Sequence, residues 1–168
     1  MILHIRPETP GDETSIGEIT KRAFASHPHS NQTEHFIIAA LRQASAMRIS
    51  LVAQIGDTVV GHIAFSSVEI SDKTADWFGL GPIAISPEDQ RNGIGSSLVR
   101  AGLNRLKTLG AKGCVLAGDP AFYGRFGFRV YPSLELPVMP PEYFLTLPLG
   151  QQVPTGIVTF HKAFEATQ

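Results

Sequence analysis

Hydrophobic and polar positions change period several times along the chain, and each change predicts an element. Residues 2–6 alternate and predict a first strand. Thr9 then offers a helix N-cap, with Pro10 at the first helical position and Asp12 in the first turn. Ile16, Ile19, Ala23 and Phe24 carry the helical period, which should stop before His27-Pro28. Asn31 followed by Glu34 predicts a second cap, and Phe36, Ile37, Ala40, Leu41 and Ala44 form the stripe of a second helix. Residues 49–55 and 58–68 read as strands, joined by a two-residue Gly56-Asp57 hairpin turn of type II′.

Residues 76–80 and 83–85 are extended runs, interrupted at Gly79 and Gly81-Pro82 where a proline removes a ladder donor and predicts a bulge or break. A glycine-bearing polar loop covers 87–95. A long helix follows, with Ile94, Leu98, Ala101, Gly102, Leu106 and Leu109 on one face and Gly110 as C-cap. Residues 114–117 read as a short buried strand, 119–125 as a short helix, 126–130 as a strand and 156–160 as a last strand. Six of the twelve prolines fall within 132–154, which reads as an ordered loop or irregular arm. The alternation of strands and helices predicts one α/β (α+β) domain over 1–168, built around a mixed sheet.

Composition narrows the function. A chain of 168 residues buries roughly 70% of its unfolded surface, which is enough for one core. The net charge of -1, with no basic stripe, argues against a nucleic-acid partner, so an anionic ligand would need local donors. The lone Cys114 gives no disulfide signature, and no apolar run approaches a membrane span or signal peptide, so the expected address is the cytoplasm, off the membrane.

The richest segment runs from Ile83-Ala84-Ile85 through Gln90-Arg91-Asn92-Gly93-Ile94-Gly95-Ser96. A strand ends, a glycine loop turns and a helix begins, which aims unpaired amides and the helix dipole at one point. Glycines at 93 and 95 keep Cβ atoms out of an anion's way. A Walker A loop is excluded by the absence of Gly-Lys-Ser/Thr, and a dinucleotide fingerprint by Leu98 at its third glycine position. A plain strand-to-helix turn with capping glycines would also account for Gly-x-Gly taken alone. Further on, Phe122, Tyr123, Phe126 and Phe128 form an aromatic box within Gly118–Phe128, a pattern that also fits ordinary core packing.

Gln90-x-x-Gly93-x-Gly95 after a strand resembles the coenzyme A loop of the GCN5-related N-acetyltransferases, and residues 118–128 resemble the same family's Phe-Tyr-x-x-x-Gly-Phe box. Leu80-Gly81-Pro82 and the Gly-Asp-Pro-x-Phe-Tyr-x-Arg-Phe-Gly-Phe ending are similar to one branch of it. Many members carry glycine where this chain has Arg91, a basic residue where it has Asn92, and an asparagine ahead of the tyrosine. The resemblance implies a mostly antiparallel sheet flanked by helices with a bulged central strand. It also implies acetyl-CoA as cosubstrate without a metal, and direct acetyl transfer to an amine, on a small molecule or peptide. Ile83, Ala84 and Ile85 would hold the pantetheine arm, residues 90–96 the diphosphate, and Tyr123 the departing sulfur. A homodimer is common in the family. A non-catalytic acyl-CoA sensor and a nucleotide-binding module are the alternatives.

Other residues carry less. Glu34, Glu69 and Asp76 are candidate bases and equally solvated carboxylates. His27, His29 and His35 are too loosely spaced for a metal site. His62 reads as a core or pocket residue, Cys114 as a small buried hydrophobe, and Trp77 and Phe78 as core.

Overall fold

The computed structural model describes residues 2–150 and 152–168. In chain order it contains β1 (Leu3–Pro7), α1 (Glu13–Phe24), α2 (Glu34–Gln43), β2 (Ile49–Ile55), β3 (Thr58–Ser67), β4 (Glu69–Ile70), β5 (Trp77–Ile85), α3 (Ile94–Thr108), β6 (Gly113–Ala117), α4 (Pro120–Tyr123), β7 (Leu134–Glu135), β8 (Phe144–Pro148) and β9 (Gly156–Thr159). Six strands form a mixed, mostly antiparallel sheet in the order β1-β2-β3-β5-β6-β8, and β4, β9 and β7 form a smaller one. The chain divides into two compact units. One comprises the chain up to Phe65, Gly81–Asn104 and Lys162–Gln168; the other comprises Ser66–Leu80 and Arg105–His161.

In the first unit β1 pairs antiparallel with β2, and β2 with β3, through a hairpin that closes at Ile55↔Thr58. Gly56 adopts φ 59°, as the tight turn requires. Asp12 closes the expected N-terminal cap: its carboxylate accepts from the Thr9 amide at 2.7 Å and is paired with Arg6 at 2.7 Å. The second cap differs from the sequence reading. Thr33 occupies the N-cap of α2, and Glu34 instead accepts from the Ser30 hydroxyl at 2.7 Å. The apolar stripes of α1 and α2 meet the sheet through Ile16, Ile38 and Val52, and Ile37 and Leu41 pack with Ala163. Each such side chain, fully buried, contributes roughly 1.5–3 kcal/mol. A Cβ on Gly102 would stand 2.2 Å from the Phe65 ring, so a bare glycine sets how closely α3 approaches β3.

The second unit has a core of Val68, Ile70, Trp77, Val115, Leu134, Phe144 and Val158. β5 runs parallel to β6 over Trp77↔Gly113, Phe78↔Cys114 and Gly79↔Val115, where the recorded ladder ends. β5 continues as a strand through Gly81-Pro82, which is a cis peptide. Two expectations fail here. Residues 126–130 form no strand beyond a single bridge between Arg129 and Thr146, because Gly127 turns left-handed at φ 98°. The proline-rich arm conceals β8, which pairs antiparallel with β6 from Gly113↔Pro148 to Ala117↔Phe144. Phe144, Leu145 and Thr146 are all buried, so no alternation marked that strand, and Pro148 is tolerated at its end.

Candidate functional site

The turn after β5 is built mainly from backbone. Ser86 is buried and its amide donates to the Val60 carbonyl at 2.8 Å, which anchors the strand end. The Gln90 side chain folds back and donates to the Ile85 carbonyl at 3.0 Å. Arg91 at φ 67° and Gly93 at φ 81° are both left-handed, and together they reverse the chain into α3. The first recorded helical amide bond is that of Ser97 to the Gly93 carbonyl, at 3.1 Å. The amides of Gly93, Ile94, Gly95 and Ser96 precede it without backbone acceptors, as the opening of any helix requires. A Cβ on Gly93 would meet nothing within 4 Å, so the approach to these donors is open. Ile94 is buried and fixes the turn, whereas Gln90, Arg91 and Asn92 are exposed. Ile83 and Ile85 are half-buried and Ala84 buried, in the strand that leads into the turn. An arginine on α1, Arg22, ion-pairs with Glu88 just ahead of Gln90, a link between segments 66 residues apart that no local pattern announces.

Tyr123 belongs to the second unit. Asp119 caps α4 by accepting from the Ala121 amide at 2.9 Å, and Pro120 takes the first helical position. The Tyr123 ring stands edge-on to Phe122 at 4.8 Å and to Phe128 at 6.0 Å. Its other face covers Gly118, where a Cβ would lie 2.6 Å from the ring. Burial, assisted by Cys114 and Asp119, pushes the phenol up to about 12. The hydroxyl therefore keeps its proton at neutral pH, and among the described residues no hydrogen-bond partner claims it. The hydroxyl is therefore not a structural tie among the described residues.

The remaining candidates separate clearly. Cys114 is fully buried and its thiol is pushed up by that burial, so it is no nucleophile. Trp77 and Phe78 are core. Glu69 and Asp76 are exposed on the rim of an open hollow of ≈ 630 Å³ whose walls come from β4, the loop after it and β9. His27 lies tilted against Phe24 at 5.7 Å, and His29 stands edge-on to His27 at 6.2 Å, near the exposed end of α1. Among the described residues no group of three or more His, Cys, Asp or Glu side chains could hold a metal. No helix among them is long and apolar enough to cross a membrane.

Comparison with known proteins places this geometry. Residues 4–131 match an acetyltransferase (GNAT) domain. The chain is 30% identical over 167 residues to YhbS of Escherichia coli K12, an uncharacterized N-acetyltransferase, covering 95% of this chain and 97% of that one. Among solved structures, a GNAT family acetyltransferase from Brucella melitensis in complex with acetyl-CoA is 44% identical, with a TM-score of 0.87 over 97% of this chain and 98% of that one. Escherichia coli YhbS in complex with CoA superposes with a TM-score of 0.89 at 29% identity, covering 99% of this chain and 93% of that one.

Proposed function

The chain belongs to the GCN5-related N-acetyltransferase family, and from that premise we propose that it moves the acetyl group of acetyl-CoA directly to a primary amine within a ternary complex. The reading assigns the whole of 1–168 to one acetyltransferase domain working in the cytoplasm. The observation that carries it is the open turn of unpaired amides at Gly93–Ser96, placed where a strand meets a helix.

The residues present fit the coenzyme. Amides at Gly93, Ile94, Gly95 and Ser96 would take the diphosphate oxygens, with Gln90, Arg91 and Asn92 around them. The backbone of Ile83, Ala84 and Ile85 would take the pantetheine arm as an added strand. A preorganised amide aimed at the thioester oxygen contributes roughly 10²–10³ in rate as the carbonyl becomes an oxyanion. The amine nitrogen forms the new N–C bond and gives up a proton. The C–S bond breaks, and the Tyr123 hydroxyl protonates the departing thiolate. The phenol carries that proton throughout the neutral range.

Titration calorimetry with acetyl-CoA, followed by thiol release in the presence of a panel of primary amines, tests the proposal. The wild-type chain should bind and turn over. Gly93→Ala should weaken binding by roughly tenfold or more, about 1.4 kcal/mol, because a side chain at φ 81° strains the turn that aims the amides. Absence of binding to both CoA and acetyl-CoA defeats the reading. Binding without turnover on any amine would favour an acyl-CoA sensor instead.

A further inference from the structure

A buried polar chain in the first unit has no part in the chemistry above. Glu8 follows β1, Ser50 lies on β2, His62 on β3 and Arg42 in the last turn of α2. His62 Nε2 lies 2.7 Å from the Ser50 hydroxyl and 3.7 Å from Glu8 Oε1. The Ser50 hydroxyl also bonds Glu8 Oε1, and Arg42 Nε donates to Glu8 Oε2 at 2.8 Å. The proton order follows from valence. Glu8 is ionised: burial would raise its carboxyl, but the nearby His62 ring and the bonds from Arg42 and Ser50 prevail and hold it at about 2. A carboxylate only accepts, so Ser50 gives its one proton to Glu8. Ser50 must then accept from His62, which puts the ring proton on Nε2 and a lone pair on Nδ1.

Nδ1 is the anomaly. His62 has no exposed surface, and Nδ1 has no hydrogen-bond partner. A buried polar atom left unpaired costs about 1–3 kcal/mol, so its retention asks for a reason. Its neighbourhood suggests one. A Cβ on the adjacent Gly61 would lie 3.3 Å from the Ala84 carbonyl and 2.9 Å from the Ile85 side chain. His62 thus sits beside the strand proposed to hold the pantetheine arm. It points to the other face of the sheet from Gly61, since its cross-strand partner Val52 packs with Ile16 and Ile38 of α1 and α2. The ionisable groups acting on the ring are Glu8 after β1, Asp12 ahead of α1 and Arg42 of α2, and Glu13 of α1 lies 3.8 Å from Arg42. Burial lowers the His62 pKa and Glu8 works against it, which leaves a neutral imidazole at neutral pH.

We propose that His62 takes the proton released by the attacking amine, accepting it at Nδ1 through bridging water, while Ser50 and Glu8 position the ring and support the imidazolium. The proposal rests on the acetyl-transfer reading. The N–C bond forms, the N–H proton passes to Nδ1, and solvent later removes it from the imidazolium. Water is invoked because the ring has no exposed surface to present to a substrate. Ser50 and Glu8 are positioning residues: the carboxylate acts on the ring through the hydroxyl, as an orienting acid does in other relays.

The test is the rate of thiol release from acetyl-CoA with a panel of primary amines over about pH 5 to 9, with calorimetric affinity for acetyl-CoA measured alongside. For His62→Gln we expect kcat down about 10²-fold, acetyl-CoA affinity within about twofold of wild type, and loss of the rise in rate with pH. Ser50→Ala keeps the ring but cuts its link to Glu8. It should move that rise to lower pH and cost roughly tenfold in kcat, and it serves if His62→Gln does not fold. Wild-type turnover with an unchanged pH profile in either folded variant overturns the relay alone. A proton on Nδ1 rather than Nε2 at neutral pH, read from the imidazole ¹⁵N shifts, also overturns it. A wild-type chain that binds no acetyl-CoA overturns the coenzyme reading, and the relay with it.

Discussion

The turn opening α3 and the box around Tyr123 use glycine and burial in opposite ways. Gly93 is needed for its backbone: φ is 81°, and a Cβ there would meet nothing within 4 Å. Gly118 is needed for its missing side chain: φ is unremarkable, but a Cβ would lie 2.6 Å from the Tyr123 ring. The turn offers backbone amides at an exposed surface, and side chains at 90–92 lie open around it. The box offers one hydroxyl, held by three packed rings and kept protonated by its burial. A site made of amides tolerates side-chain change, since its donors survive most substitutions. A site made of one side chain does not.

The largest test of that contrast is Tyr123→Phe. The hydroxyl has no hydrogen-bond partner among the described residues, so its loss should leave stability within about 0.5 kcal/mol. If it protonates the thiolate, kcat should fall roughly 10²–10⁴ with acetyl-CoA affinity little changed. A rate within threefold or so of wild type would reduce the tyrosine to a packing residue. Gly118→Ala probes the same group without touching its chemistry. Its methyl must displace the ring at an overpacking cost of about 1–3 kcal/mol. A shift near 1 Å can cost up to about 10²-fold in rate, so kcat should fall by roughly ten- to a hundredfold. A melting curve separates that loss from unfolding, and a variant with full activity would show that the ring position does not matter.

Legibility followed the same divide. The turn was readable because its signal is local: a strand, two glycines and a helix in fourteen consecutive residues. The short helix read over 119–125 is present as α4, followed by a tight turn over Gly124–Phe126. Capping at Asn31 misled because Ser30, one residue earlier, captures Glu34, and Gln32 turns left-handed at φ 61°. β8 was hidden because its pairing with β6 is set thirty residues away and all its central side chains are buried. The chain of Glu8, Arg42, Ser50 and His62 was invisible for a stronger reason. Its members are scattered over four elements, and only the packing of α2 on the sheet brings Arg42 to Glu8. Of the four, sequence alone had singled out His62, and it could not see what the ring bonds.

Arg91 gives the smallest and most discriminating prediction. A non-glycine residue at φ 67° carries about 1–2 kcal/mol of steric cost, which a glycine would not. Arg91→Gly removes that cost but frees the unfolded chain, which returns about 0.4–1 kcal/mol to the unfolded state. The difference is a net stabilisation near 0.5–1 kcal/mol, or a rise of roughly 1–4 °C in Tm for a chain of this size. Its guanidinium is exposed and forms no recorded ion pair among the described residues, so stability alone gives no reason for an arginine here. If Arg91 touches a phosphate of the coenzyme, the same substitution should weaken acetyl-CoA binding severalfold, and the loss should shrink as salt screens the contact. Higher stability with weaker, less salt-sensitive binding would show a strained residue retained for its charge. Higher stability with unchanged binding would remove Arg91 from the coenzyme site and leave the amides of Gly93–Ser96 to hold the diphosphate unaided.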